Sequence, residues 1–179
     1  CCYAMNNIDE AIKYLKIAIT SRSKLLLGDI YEKSGNINLA IDLYKSIYNE
    51  NGGACYRLAE YYKDKSYDQR KYYLHMGTNL KNSGCIYSYG KILLSENKIS
   101  EGMKLLEENA TTPSINWLLT VMYLIGSFEN LGPVRKDIDK ALHYSKFISN
   151  NDLLELCSIY PTLTNLLLFE DYPNSFNKV

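Results

Sequence analysis

The stretch from Ser114 to Ile148, SINWLLTVMYLIGSFENLGPVRKDIDKALHYSKFI, contains a complete helix-loop-helix unit. Its apolar residues first recur at helical spacing and stop at Gly126, after which turn-forming residues lead to Gly132 and Pro133. A second amphipathic stripe begins near Asp137, whose carboxylate suits the positive N-terminal end of a helix. Because each helix is too short and too one-sided to be stable alone, the unit must pack against neighbours.

The second helix of this unit has copies upstream in the chain. Each copy contains a small residue followed three and four positions later by bulky residues, as in EAIKYLKIAI from Glu10 and KALHYSKFI from Lys140. The copies align on Ala11, Ala40, Arg70, Gly102 and Ala141, at intervals of 29, 30, 32 and 39 residues. Arg70 fits this pattern least well. Self-similarity at such periods predicts a repeat architecture.

The first helix of the unit also has copies, which align on Gly28, Ala59, Gly90 and Thr120 at intervals of 31, 31 and 30 residues. A small residue at this site lets two helices approach closely, while the flanking Leu and Tyr side chains fill the seam. We therefore predict one helix within 1–20 and helix pairs at 21–34 with 37–49, 53–64 with 67–79, 82–95 with 98–110, and 114–126 with 137–149. A further helix from 151 should end at Pro161, and 162–170 is the last candidate helix.

These residues resemble known helical repeats. The run LGDIY at 27–31, followed by Ala40 twelve positions after Gly28, is similar to a tetratricopeptide repeat. The unit at 114–148, with its long loop and D-x-x-K-A-L-x-Y pattern from Asp137, resembles a Sel1-like repeat. The resemblance covers about residues 8–150 and implies an all-α fold, a right-handed superhelical solenoid of antiparallel helix pairs. Thr120, Arg70 and Gly102 depart from its pattern.

The hydrophobic fraction of 46% and the charged fraction of 22% are those of an ordinary folded protein rather than a disordered one. We predict a single repeat domain over residues 1–170 and a loose C-terminal tail at 171–179. The chain starts with Cys1 and Cys2 rather than Met, which leaves open an upstream repeat or targeting segment. The abundance of Asn, Ile, Lys and Tyr, residues with AT-rich codons, indicates an AT-rich genome such as that of an intracellular bacterium, a protist or a large DNA virus.

The charge pattern argues against nucleic acid as the partner. Lys plus Arg and Asp plus Glu number 20 each, so the net charge is zero and the long-range field does not attract a polyanion. Two local basic groups occur, and we interpret both as solvated helix faces: Lys63, Lys65, Arg70 and Lys71, and then Arg135, Lys136 and Lys140. No apolar run approaches the roughly 20 residues of a membrane span, and no signal peptide is visible.

The five cysteines are scattered and contain no C-x-x-C motif. Reduced thiols in a cytoplasmic protein are the simplest interpretation. Cys55 and Cys85 occupy nearly equivalent points of consecutive first helices, so we predict that they are small packing residues rather than a metal pair or a disulfide.

Catalytic chemistry has little support in the sequence. The two histidines, His75 and His143, lie in second-helix patterns, and His143 should face solvent. Neither is accompanied by a nucleophile motif, and the zinc, phosphate-loop, dinucleotide and calcium-loop signatures do not occur. We predict no catalytic residues, no metal site and no cofactor.

The resemblance implies where a partner would bind. In these families the first helices line a concave surface, and the residues three before and one after the small site point into it. The corresponding positions here are Leu25, Tyr56, Tyr87 and Trp117, followed by Asp29, Glu60, Lys91 and Val121. Rigid aromatic side chains beside polar ones are typical of peptide-binding surfaces. The alternative is that the rings are wedged between adjacent helices. We interpret other tyrosines, namely Tyr31, Tyr62, Tyr73 and Tyr123, as packing residues.

The function predicted from these patterns is that of a non-enzymatic scaffold or adaptor that binds a peptide, helix or subunit of another protein on the concave first-helix face. Two alternatives belong to other classes. An RNA-binding helical repeat would require a basic stripe and a constant repeat length. A regulatory segment of a larger enzyme would require catalytic residues elsewhere in the full protein.

Overall fold

The structure, a computed structural model, describes residues 8–18, 20–127, 131–161, 163 and 164. All regular secondary structure in these ranges is helical, which confirms the all-α class. The helices are α1 Ile8–Ile17, α2 Ser21–Lys33, α3 Ile37–Lys45, α4 Gly52–Tyr61, α5 Tyr67–Asn79, α6 Ser83–Ser95, α7 Ile99–Glu108, α8 Pro113–Ile125, α9 Ile138–Ser145 and α10 Asn150–Ile159. The predicted pairs are all present, although α3, α7 and α9 are shorter than predicted.

The chain divides into two compact units, Cys1–Tyr89 and Gly90–Val179, and α6 contributes residues to both. In the first unit α2 packs on α3 and α4 on α5, with further contacts of α1 with α2 and of α3 with α4. In the second unit α8 packs against α7 and α9. Helices adjacent in sequence are therefore adjacent in space, as in a repeat architecture. The single domain over 1–170 and the right-handed superhelix stay predictions.

Local signals in the sequence fix where several helices begin and end. Asn51 caps α4, because its side-chain oxygen accepts the backbone N–H groups of Gly53 and Ala54 at 2.9 and 3.2 Å. Asp137 caps α9 by accepting the N–H of Lys140 at 3.0 Å, as the sequence predicted. Gly126 ends α8 in a left-handed conformation with φ of 83°, which favours glycine.

The small residues of the first helices lie where the paired helix approaches most closely. A Cβ atom added to Gly28 would overlap the ring of Tyr44, which is 1% exposed. A Cβ atom on Gly90 would lie 2.7 Å from Cδ2 of Leu106. Tyr44 and Leu106 occupy the same repeat position, four residues after the small site of the second helix. The predicted role of the small site, close helix approach, is therefore confirmed at Gly28 and Gly90.

The residues that depart from the small-residue pattern are accommodated in different ways. Thr120 is completely buried, and its hydroxyl donates to the carbonyl of Asn116 at 2.8 Å, so the extra polar atom is satisfied. Gly102 packs against Leu94 in the second unit. Arg70 is half-buried, and its Nε atom is buried without a hydrogen-bond partner among the described residues. Arg70 thus departs from the small-residue pattern in the sequence, and in the structure it departs from the rule that buried polar atoms are hydrogen-bonded.

Cys55 and Cys85 are packing residues. Both side chains are completely buried and carry free thiols. They flank Gly77, where an added Cβ would overlap the Sγ atom of Cys85 and lie 3.0 Å from the Cβ of Cys55. Burial raises the pKa of the Cys55 thiol to about 11 and that of Cys85 to about 12, so both stay protonated at neutral pH.

Two predicted elements lie at the C-terminal end of the chain. Most of the candidate helix at 162–170 and the whole predicted tail at 171–179 lie outside the described residues. Among the residues that are described, every helix is too short or too polar to cross a lipid bilayer.

The contact between Gly28 and Tyr44 can be tested by a double-mutant cycle. We expect Gly28→Ala to lower the free energy of unfolding by about 1–3 kcal/mol, because the new methyl group must displace a buried ring. In a Tyr44→Ala background the same change should be neutral or stabilising by up to about 1 kcal/mol, since alanine is the better helix former. Urea unfolding measures all four proteins. An equal loss in both backgrounds would contradict the close-approach assignment.

The buried thiols should be protected from alkylation. In native protein treated with iodoacetamide at about pH 8, we expect peptides that contain partly exposed Cys157 to be modified at least about tenfold faster than those that contain Cys55 or Cys85, because the thiolate is the nucleophile. Mass spectrometry of digested samples gives the rates, and unfolding in urea should remove the difference. Fast modification of Cys85 in the native protein would show that its site is open.

Candidate functional site

The candidate site lies on the two complete first helices of the first unit, α2 and α4. Leu25 and Asp29 are spaced four residues apart on α2, as Tyr56 and Glu60 are on α4, so each pair shares one helix face. All four were predicted as partner-binding residues. An ion pair between Asp29 and Arg57, 2.9 Å from Oδ1 to Nε, joins the two helices directly. The structure therefore joins the two helices that carry these four predicted residues.

The apolar members of this group contact the following first helix. Leu25 lies over Gly53, where an added Cβ would be 2.9 Å from Cδ2 of the leucine. Tyr56 lies over Gly84, where an added Cβ would be 2.9 Å from the tyrosine Cδ2 atom. The two contacts are the same contact in successive repeats, 31 residues apart. Both side chains are half-buried, so each is wedged between helices and retains an exposed edge.

The polar members form a connected network around Tyr44. The phenol of Tyr44 lies 2.9 Å from Asp29 Oδ1 and 2.9 Å from Glu32 Oε2, and it donates its single proton to these two carboxylates. Burial and the two carboxylates raise the pKa of Tyr44 well above its usual value. The Arg57 guanidinium pairs with the same Oδ1 atom of Asp29. Three helices, α2, α3 and α4, are thus held in one arrangement by four polar side chains.

A small open cavity of about 150 Å³ lies beside this network. Its wall is the apolar face of α3 and its rim is charged; the lining residues are Glu32, Ile37, Ala40, Ile41, Tyr44, Arg57, Glu60 and Tyr61. Glu32 and Glu60 are exposed, and Asp29 is partly exposed. Two exposed carboxylates, those of Glu32 and Glu60, line the cavity, and the guanidinium of Arg57 is already paired with Asp29. Carboxylates are therefore in excess on this face, which favours a cation.

The other four predicted residues are placed differently. Tyr87 is half-buried and belongs to the first unit, whereas Lys91 and Trp117 are half-buried residues of the second unit. Val121 is completely buried. Its side chain therefore packs in the core of the second unit and presents no surface to a partner.

Three residues of the site were not predicted from the sequence, namely Glu32, Tyr44 and Arg57. Glu32 follows Asp29 by three positions, so helical geometry alone could have added it to the same face. Tyr44 stands at a bulky position of the second-helix pattern, which indicates packing but does not reveal that its hydroxyl reaches α2. Arg57 follows no periodic pattern, and its role depends on the distance between two helices.

Other tyrosines pack as predicted. Tyr62 stacks on Tyr73 with ring centres 5.7 Å apart and planes 12° apart. Tyr31 and Tyr73 pack against the buried cluster around Tyr44 and Leu58. Tyr123 is 7% exposed and stacks on Tyr144 in the second unit. These contacts confirm the packing interpretation.

The histidines are surface residues. His143 is exposed, as predicted, and contacts the rings of Tyr144 and Phe147. His75 is exposed and lies 5.4 Å from the ring of Tyr89. Within the described ranges, His, Cys, Asp and Glu side chains do not gather in groups of three or more that could hold a metal ion.

The ion pair between Asp29 and Arg57 should contribute measurably to stability. We expect Asp29→Asn to lower the free energy of unfolding by about 1 kcal/mol, because it weakens both the ion pair and the acceptor for Tyr44, while partial exposure limits the loss. In an Arg57→Gln background the loss should be smaller by about 0.5 kcal/mol. Asp64→Asn, at an exposed carboxylate, is the control and should change stability by less than about 0.5 kcal/mol. Additive effects of the two changes would show that the side chains are not coupled.

Comparisons with known proteins give a structural likeness at low sequence identity. Neither a family model nor a curated protein matches the chain. Among solved structures, the chain is similar to a protein from Klebsiella pneumoniae subsp. pneumoniae described as a sel1 repeat protein, with 14% sequence identity and a TM-score of 0.37. The likeness covers 80% of this chain and 93% of that one. Because the score and identity are low, the helix pairs and the small-residue contacts described above carry the fold assignment.

Proposed function

We propose that the chain is a non-enzymatic protein-interaction scaffold, and that its first unit binds a basic peptide or helix of a partner protein. The binding surface is the face of α2 and α4, which we call the acidic face; it consists of Leu25, Asp29, Glu32, Tyr56, Arg57 and Glu60. The single observation that supports this most directly is the network that joins Asp29, Glu32, Tyr44 and Arg57 beside an open, negatively charged cavity.

The acidic face is preorganised for binding. Tyr44 and Arg57 already hold Asp29 and Glu32 in place, so these carboxylates lose little side-chain freedom when a partner arrives. Glu60 is exposed at the rim and is available to a lysine or arginine of the partner. The exposed edges of Leu25 and Tyr56 supply apolar area next to these charges, a combination found at the centre of many interfaces.

The remaining predicted contact residues stay in the proposal with one exception. Tyr87, Lys91 and Trp117 are proposed partner contacts, each within its own unit. Val121 is omitted because its side chain is buried.

A display selection tests the acidic face. Peptides selected from a random library on the wild-type protein should be enriched in Lys and Arg next to a large apolar residue. Because Glu32→Lys with Glu60→Lys reverses two exposed charges, the double variant should bind these peptides at least about tenfold more weakly, which fluorescence anisotropy can measure.

The matched control reverses two exposed carboxylates away from the cavity, Asp64→Lys with Glu155→Lys, and so changes the net charge by the same amount. This variant should bind within about twofold of wild type, since long-range effects are screened at physiological salt. Equal weakening in both double variants, or selected peptides without basic residues, would remove the acidic face from the proposal.

A further inference from the structure

A larger groove lies in the second unit, away from the residues predicted to bind a partner. It encloses about 620 Å³, within the size range of ligand pockets. One wall is α7, another is the start of α9, and the extended segment 131–137 forms the rim. The lining residues are Ile99, Ser100, Met103, Tyr123, Val134, Arg135, Lys136, Asp137 and Lys140.

The rim segment is fastened to the body of the second unit by its backbone. The N–H of Gly132 donates to the carbonyl of Leu94 at 3.1 Å, and that of Val134 donates to Gly126 at 2.6 Å. The N–H of Asp137 donates to Tyr123 at 3.0 Å. A non-helical segment held at three points presents its side chains in fixed positions, so the groove is largely preformed.

The charges around the groove are mainly positive. Arg135 and Lys136 are exposed on the rim, and neither forms an ion pair with another residue in the described ranges. The carboxylate of Asp137 caps α9, where the backbone N–H of Lys140 partly offsets its charge. Within the part of the chain that the structure describes, Arg135 and Lys136 therefore remain on the rim without an acidic partner.

The third cation, Lys140, is held in place by neighbouring side chains. Its ammonium donates to Glu107 at 2.7 Å and to the hydroxyl of Tyr123 at 3.0 Å, and Tyr123 also donates to Glu107. The same ammonium lies 4.7 Å from the centre of the Tyr123 ring. These contacts fix one end of the groove and leave Arg135 and Lys136 as the groups available to an anion.

We propose that this groove, the basic groove, binds an acidic segment of a partner protein that carries one large apolar side chain between two carboxylates. The carboxylates would pair with Arg135 and Lys136. The apolar side chain would lie against Ile99 and Met103 on the α7 wall and Val134 on the rim. These apolar residues favour a peptide with an apolar side chain over a fully polar anion, because covering an apolar surface is favourable only when the ligand is also apolar there.

The assignment can be tested with two labelled peptide pools. The acidic pool has the core Asp-Φ-Glu within ten residues, where Φ is Leu, Ile, Phe or Met, and the comparison pool has the neutral core Asn-Φ-Gln. We expect wild-type protein to bind the acidic pool at least about tenfold more tightly in fluorescence anisotropy, because charge-assisted hydrogen bonds depend on the carboxylates. Equal affinity for the two pools, or no binding of the acidic pool, would overturn the proposal.

Charge-reversal variants test whether the acidic peptides bind in the basic groove. Arg135→Glu with Lys136→Glu should weaken binding of the acidic pool at least about tenfold, and both positions are exposed, so the fold should be retained. The control, Lys63→Glu with Lys146→Glu, makes the same change in net charge at two exposed lysines that do not line the groove. It should bind within about twofold of wild type.

Two further outcomes would contradict the proposal that an acidic peptide occupies the basic groove. If the control weakens binding as much as the rim variant, the attraction is a general charge effect. If sedimentation shows that the rim variant changes the oligomeric state of the protein while peptide binding is unchanged, the occupant of the groove is a second copy of this chain.

Discussion

Close approach between paired helices is the constraint on which the structure depends. In two helix pairs the first helix carries a glycine where the second helix approaches closely, and a large buried residue of the second helix fills the space. Gly28 with Tyr44 and Gly90 with Leu106 are two examples of this contact at the same repeat position. Short amphipathic helices gain stability only by such packing, because each is too short to be stable alone.

The polar chemistry of the first unit follows from this packing. The ring of Tyr44 is buried against Gly28, and this position carries its hydroxyl to the two carboxylates of α2. The ion pair between Asp29 and Arg57 then extends the network to α4. The side chain of Tyr44 therefore connects the hydrophobic core to the charged surface, and its hydrogen bonds restrain Asp29 and Glu32.

The zero net charge of the chain conceals local surfaces of opposite sign. Around the cavity of the first unit, carboxylates outnumber the guanidinium, whereas the rim of the groove in the second unit carries Arg135 and Lys136. A sum over the whole sequence describes only the long-range field, which is screened within about 10 Å. Recognition of a peptide depends on charges at shorter distances, where the two surfaces differ.

The amino-acid sequence by itself determined the all-α class, the positions of the helix pairs, the small-residue contacts and the burial of Cys55 and Cys85. These features repeat at regular intervals or depend on neighbours within a few positions, so they can be read from a linear pattern. Only the tertiary structure decided that Arg57 reaches Asp29, that Val121 is enclosed, and that Arg135 and Lys136 border a groove. The physical reason is that these outcomes depend on distances between different helices and loops, which no local periodicity encodes.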